Sequence, residues 1–199
     1  MSAERKSNIK RESAETKIKV NLNLDGKRAV KIDTGIPFMN HMLELFAKHG
    51  GFSLRIQGRG DTEVDCHHTV EDLGIVIGQA FRKALGKRKG IERYGEAFIP
   101  MDESLARVVI DISGRPYLYY DVKMPKKRFE GFDYSLIEEF LRAFSVHSAT
   151  TIHISLLYGK NQHHICEAIF KALAVALKRA CAISGKNASI PSTKGVLDL

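Results

Sequence analysis

The 199-residue chain has no apolar run approaching a bilayer span: its longest stretches, such as residues 172–177, fall far short of the roughly 20 residues a membrane helix needs. The opening MSAERKSNIKRESA contains no apolar signal core, so no spanning or secretory segment is expected and the expected location is cytoplasmic. Cysteine is scarce. Cys66, Cys166 and Cys181 are an odd number at wide spacings with no CxxC pair, which fits reduced thiols better than a disulfide framework. Collagen-like and low-complexity bias are missing too, and 44% hydrophobic against 27% charged residues describes a folded chain with a real core.

The net charge of +8 admits three partners: nucleic acid, an anionic membrane surface, or a small acidic substrate such as a phosphate ester. The basic runs at residues 82–89 and 123–128 carry no interleaved aromatics and read as solvated faces, so neither nucleic acid nor membrane is the expected partner. The eight histidines are the more unusual feature.

Those histidines fall into an internal repeat. A shift of 96 places His67-His68-Thr-Val-Glu71 on His163-His164-Ile-Cys-Glu167, so HHxxE occurs twice, and the match continues from residues 81–84 to residues 177–180. A shift of 98 aligns Leu43, Phe46, His49, Leu54 and Ile56 with Leu141, Phe144, His147, Ile152 and Ile154. A shift of 88 lays residues 18–27 over residues 106–115, and Glu15 over Glu103. The offsets imply a ten-residue insertion near residues 123–131 and a two-residue deletion before His163. Residues 1–95 and 96–199 are thus expected to be two copies of one half-domain inside a single compact domain.

Each half shows the same pattern. Ile18, Val20, Leu22 and Leu24 alternate with polar residues, as do Val108, Ile110 and Ile112, and both runs stop at turn signals, Asp25-Gly26 and Ser113-Gly114. Apolar residues at helical spacing mark residues 39–48 and 134–146, then 69–85 and 165–181; residues 54–57 and 151–156 read as short strands. The expected fold is α/β of the α+β type: a duplicated half-domain, each half a mixed four-stranded sheet with two helices, the four helices packed between the two sheets.

HHxxE at a helix start is a set of metal donors. With the helix beginning at the second histidine, positions i and i+3 share a face, so His68 with Glu71 and His164 with Glu167 share a direction while His67 and His163 point elsewhere. One motif is then expected to serve two ions. Imidazole and carboxylate without thiolate favour Mn²⁺, Fe²⁺ or Zn²⁺ in an open site. His41 is a further candidate, and its repeat counterpart is Glu139. His49 and His147 precede small residues at helix ends and His153 lies inside a strand, so all three read as structural. Arg93, Arg115, Lys171 and Lys194 lie near turns or on the second metal helix, and arginine forks with Ser/Thr beside lysine suit a phosphate.

Five ordered segments, DTGIPFMNHML, DCHHTVEDLG, DISGRPYL, NQHHICEAIFKAL and IPSTKGVL, together resemble the imidazoleglycerol-phosphate dehydratase family over nearly the whole chain. The resemblance implies dehydration of imidazole glycerol phosphate to imidazole acetol phosphate in histidine biosynthesis, with two Mn²⁺ per site. It implies a route through a metal-bound imidazolate and a diazafulvene, in a homo-24-mer with sites at subunit interfaces. It assigns one ion to His41, His68, His163 and Glu167, and the other to His67, Glu71, His164 and residue 139, where Glu139 stands in place of the histidine common in the family's EHFF segment. It makes Arg93, Arg115, Lys171, Ser192, Thr193 and Lys194 phosphate contacts, and Glu15, in RESAET, the acid/base at the substrate. Asp102 and Glu103 are candidates for a second such group or for a structural role. The alternative from the residues alone is a dinuclear metal hydrolase of phosphate esters.

Overall fold

The computed structural model describes residues 4–26, 29–125, 131–184, 189–193, 195 and 197. In the first half, β1 (Lys6–Glu12) pairs antiparallel with β2 (Thr16–Asn23), β2 antiparallel with β4 (Ser53–Gly60), and β3 (Val30–Asp33) parallel with β4. The second half repeats this with β5 (Tyr94–Met101), β6 (Ser104–Asp111), β8 (Thr151–Tyr158) and β7 (Tyr117–Asp121), giving sheet orders β1-β2-β4-β3 and β5-β6-β8-β7. Alternation dictates which face is buried: Ile18, Val20 and Leu22, like Ala106, Val108 and Ile110, point inward at 2% exposure or less.

Four helices fill the space between the sheets. Helix α1 (Pro37–Gly50) opens with proline, whose fixed φ suits the first turn, and closes on Gly51 in the left-handed region at φ 72°. Its repeat partner α3 (Leu136–Ser148) ends in the same geometry at Ala149. Helix α2 (His67–Leu85) lies on β1, β2 and β4, and α4 (Gln162–Ala180) on β5, β6 and β8. The long helices pack crosswise between halves, α1 on α4 and α2 on α3. At the second of these contacts the backbones come close: a Cβ on Gly74 would lie 2.5 Å from the Phe140 carbonyl oxygen, so only glycine fits. Phe46 and Phe81 both pack on Phe144 in the core, with ring centroids 6.3 and 5.9 Å from it.

The outer faces of the two sheets differ. The first is polar and basic, exposing Lys10, Lys17, Lys19, Lys31, Arg55 and Arg59. The second exposes Tyr94, Phe98, Tyr117, Tyr119 and Leu157, each at 45% or more.

The second sheet starts at Tyr94, so the expected division after residue 95 lies within β5. Both metal-motif helices begin earlier than expected, at His67 and Gln162: Asn161 caps the second, its Oδ1 accepting from the His163 N–H at 2.9 Å, and ahead of the first the Asp65 carboxylate accepts from the His67 N–H at 2.7 Å. Most of the inserted segment, residues 126–130, lies outside the described residues.

Candidate metal centre

Since α1 packs on α4, His41 from the first half stands over the first turn of the second-half helix. Ligand atoms of His41, His163 and Glu167 all lie within 4.8 Å of one another. Glu167 Oε1 is the hub, 3.0 Å from His163 Nε2 and 3.2 Å from His41 Nε2, and the two imidazole centroids are 5.4 Å apart. The edge of Phe38 packs on the His163 ring at 5.5 Å. Glu167 is buried, and its second oxygen is 2.7 Å from Lys171 Nζ, one turn further along α4. Burial alone would raise the Glu167 carboxyl, but the Lys171 ammonium and the His41 ring outweigh it and hold it down at about 2. A buried carboxylate held down in pKa and flanked by two imidazoles is a donor set suited to a divalent cation.

The pairing inside the motif is not the one helix spacing gave, although His41, His163 and Glu167 are together in one set that the family resemblance implies. Because α4 already includes Gln162, both histidines are helical, and Glu167 meets the first of them at i, i+4 instead of the second at i, i+3. His164 turns away to Glu103, its Nδ1 2.7 Å from Oε2, with Asp102 at 3.8 Å. Glu103 Oε1 also accepts from the Lys160 and Asn161 N–H groups, and these bonds together hold the Glu103 carboxyl far below the usual carboxylate range and raise His164.

In the first half, His68 Nδ1 hydrogen-bonds Asp61 Oδ2 at 2.9 Å, which raises its pKa, and Glu15 Oε2 is 3.9 Å away. Glu15 sits on the turn joining β1 to β2, which Ser13 closes by accepting from the Thr16 N–H at 3.0 Å. The Thr16 hydroxyl donates to the buried Asp72 of α2, and Asp72 also accepts from Arg11 Nε at 2.8 Å, so the turn is tied to the helix that carries His67, His68 and Glu71. Sequence reasoning passed over Asp61, Asp72 and Arg11, since isolated carboxylates and an arginine on a strand carry no local signal. Glu139 lies in the first turn of α3, on the helix packed against α2, which is the repeat counterpart of His41 on α1 against α4. Among the described residues, His41, His163 and Glu167 are the one group whose ligand atoms converge; His67, His68, Glu71, Glu139 and His164 do not join them.

Of the other histidines, burial lowers the pKa of His49 and His147, and His153 stacks on Tyr119 at 5.3 Å.

A second feature is an open cleft of about 790 Å³ lined by Arg93, Tyr94, Arg115, Pro191, Ser192, Thr193 and Leu197. Four of the expected phosphate residues, Arg93, Arg115, Ser192 and Thr193, therefore come together from distant parts of the chain. Arg93, in the left-handed region at φ 70°, is held by Asp111 at 2.7 and 3.1 Å and donates to the Pro191 carbonyl at 2.8 Å, so it builds the wall of the cleft. Arg115 is exposed. Lys171 stands instead beside Glu167, and Lys194 lies outside the described residues.

A sequence profile described as imidazoleglycerol-phosphate dehydratase matches residues 34–177. The chain is 54% identical over 193 residues, covering 97% of its length and all of the relative, to imidazoleglycerol-phosphate dehydratase of Caldanaerobacter subterraneus subsp. tengcongensis. It is 50% identical to that of Pelobacter propionicus, over 97% of this chain and 99% of the relative. Among solved structures it is similar to the Staphylococcus aureus enzyme, with TM-score 0.80 and 44% identity over 88% of this chain and 98% of that one. It is also similar to the Pyrococcus furiosus enzyme, with TM-score 0.82 and 39% identity over 95% and 100%.

Proposed function

Because the chain belongs to the imidazoleglycerol-phosphate dehydratase family, hydro-lyases of histidine biosynthesis, we propose that it dehydrates imidazole glycerol phosphate to imidazole acetol phosphate at a di-manganese site. The convergence of His41, His163 and Glu167, from two helices of different halves, is the observation that carries this reading. Two imidazoles and a carboxylate without thiolate fit Mn²⁺. The two donor sets are His41, His68, His163 and Glu167, and His67, Glu71, His164 and Glu139. Manganese bound there would supply Lewis acidity and favour the anionic form of the substrate's imidazole ring.

The need for such help follows from the substrate. Its C2 proton is not next to a carbonyl, so a carboxylate base alone is a poor catalyst. The electrons of the anionic ring instead expel the C3 hydroxyl, which leaves as water with a proton from solvent, to give a diazafulvene; Glu15 then takes the C2 proton to leave an enol that becomes the ketone. Glu15 is suited to that proton transfer because its carboxylate is more than half exposed on a turn that Asp72 braces. Lys171 holds Glu167 in place from the side away from His41. Arg115, Ser192, Thr193 and Lys194 bind the phosphate against the wall formed by Arg93.

Self-association into a 24-subunit particle belongs to the same reading. His68 does not join His41, His163 and Glu167 within one chain, so the fourth donor to that set comes from a second copy of the chain, and the exposed aromatic face of the second sheet offers area for contact between copies. The phosphate ester, not nucleic acid or membrane, accounts for part of the positive charge, and the setting is the cytoplasm.

The test is to supply imidazole glycerol phosphate to the purified protein with and without Mn²⁺. Ketone formation that depends on Mn²⁺ is expected. Release of inorganic phosphate without ketone would overturn the reading in favour of a dinuclear hydrolase.

A further inference from the structure

The two halves differ at one position between strand and helix. A Cβ on Gly60 would meet Thr16 and Thr69, and one on Gly159 would meet Ser104 and Ile165, the repeat partners of those residues, so the two glycines correspond. One extra residue at a register shift in the β6/β8 pairing accounts for the offset. The residue that follows is Asp61 in the first half and Lys160 in the second. Its backbone N–H reaches the turn glutamate in both: Asp61 N donates to the Glu15 carbonyl at 3.2 Å, and Lys160 N to Glu103 Oε1 at 3.2 Å.

The side chains then diverge. In the second half Glu103 is fully engaged, with Oε1 accepting from two backbone N–H groups and Oε2 on His164 Nδ1 at 2.7 Å. Lysine at position 160 cannot accept from an imidazole N–H. In the first half Asp61 Oδ2 occupies His68 Nδ1 at 2.9 Å, and Glu15, the repeat counterpart of Glu103, stands back at 3.9 Å with its side chain 56% exposed. A carboxylate on Nδ1 orients the ring and leaves Nε2 to a metal. We propose that Asp61 is a positioning residue that does at His68 what Glu103 does at His164, and that by doing so it keeps Glu15 free for the substrate proton. This rests on the reading of Glu15 as the acid/base and of His68 and His164 as ligands. The same ancestral glutamate is a holder in one half and a free reacting group in the other.

The experiment is a double-mutant cycle on Mn²⁺ affinity, with turnover measured separately at saturating Mn²⁺. Removing Asp61 lets Glu15 fall back onto His68 as Glu103 does on His164. Asp61→Ala should therefore keep Mn²⁺ affinity within about threefold while kcat falls on the order of 10², with KM little changed. Adding Glu15→Ala removes both holders, and Mn²⁺ affinity should then fall roughly 10- to 100-fold. Glu103→Ala should cause that loss as a single change, with kcat recovering at saturating Mn²⁺. Asp61→Asn, which keeps an acceptor and the size of the side chain, should restore turnover to within about tenfold, and serves if the alanine variant does not fold. The proposal is overturned if Asp61→Ala alone weakens Mn²⁺ as much as the double variant, if it turns over normally, or if Asp61→Asn is as slow as Asp61→Ala. Normal turnover in Glu15→Gln would instead remove the underlying acid/base reading, while the Mn²⁺ cycle, read without turnover, still reports whether Asp61 and Glu15 substitute for one another.

Discussion

Helices α2 and α4 start with the same HHxxE letters and keep different company. At α4 the first histidine and the glutamate close on His41, beside Lys171, while the second histidine is tied to the β5–β6 turn. At α2 the second histidine is tied to Asp61, and the glutamate of the β1–β2 turn is left exposed. Six residues separate Gly60 from His67 but only three separate Gly159 from His163, so the short connection brings the Lys160 and Asn161 N–H groups onto Glu103 and the long one makes room for Asp61. A duplicated core constrains both halves alike, because each strand and helix must bury the same face. Connections and outer faces answer to no such constraint, and there the halves have parted.

The contrast can be broken in several ways. The largest effect belongs to Glu15: Glu15→Gln should lower ketone formation on the order of 10² or more while manganese content and assembly stay intact, measured by steady-state kinetics and metal analysis. Next come the two donor sets. Glu139→Ala should reduce bound manganese at one site only, and His163→Ala at the other, so metal analysis returning two full equivalents from either variant would break the assignment. Packing is expected to show a smaller asymmetry. Gly74→Ala forces a methyl against the Phe140 carbonyl and should cost about 1–3 kcal/mol in thermal or denaturant unfolding. The corresponding residue of α4, Phe170, packs on the Phe140 ring at 5.5 Å, so the same position already carries a large side chain in the other half.

The smallest effect is a pH dependence of the metal-free protein. Glu167 is depressed from its ordinary 4.5 to about 2, so it binds fewer protons when folded than when unfolded. Its contribution is fully present above pH 4.5 and is lost as pH falls towards about 2. Unfolding free energy measured across that window should decline more steeply in the parent protein than in Glu167→Gln.

Much of the fold was legible because alternation and helical spacing act within short windows: β2, β6, β4, β8 and all four helices lie where Ile18, Val108, Leu54, Ile152 and the apolar stripes put them, with shifts of a few residues at the ends. The doubled HHxxE was legible as well, since a motif needs no tertiary information. Which of its residues meet was carried by the family resemblance and not by helix spacing. The expected i, i+3 pair gave way to His163 with Glu167 because a cap from Asn161 starts the helix earlier and changes which side chains share a face. Arg93 carried a readable charge, but its clamp on Asp111 and on Pro191, almost a hundred residues away, was invisible along the chain. Asp61 had no signal at all, because its meaning depends on a pairing register and on the length of a connection in the other half.

The sequence by itself determined a duplicated α/β core, a set of imidazole and carboxylate donors in two copies, and a family. Only the tertiary structure decided that His41 crosses to the second half's helix, that Glu103 is occupied while Glu15 is free, and that Arg93, Arg115, Ser192 and Thr193 line one cleft. The reason is one of range. Periodicity and residue chemistry are properties of neighbours along the chain, whereas a metal site or a phosphate cleft is made by groups from distant parts of the chain that packing brings within a few ångströms.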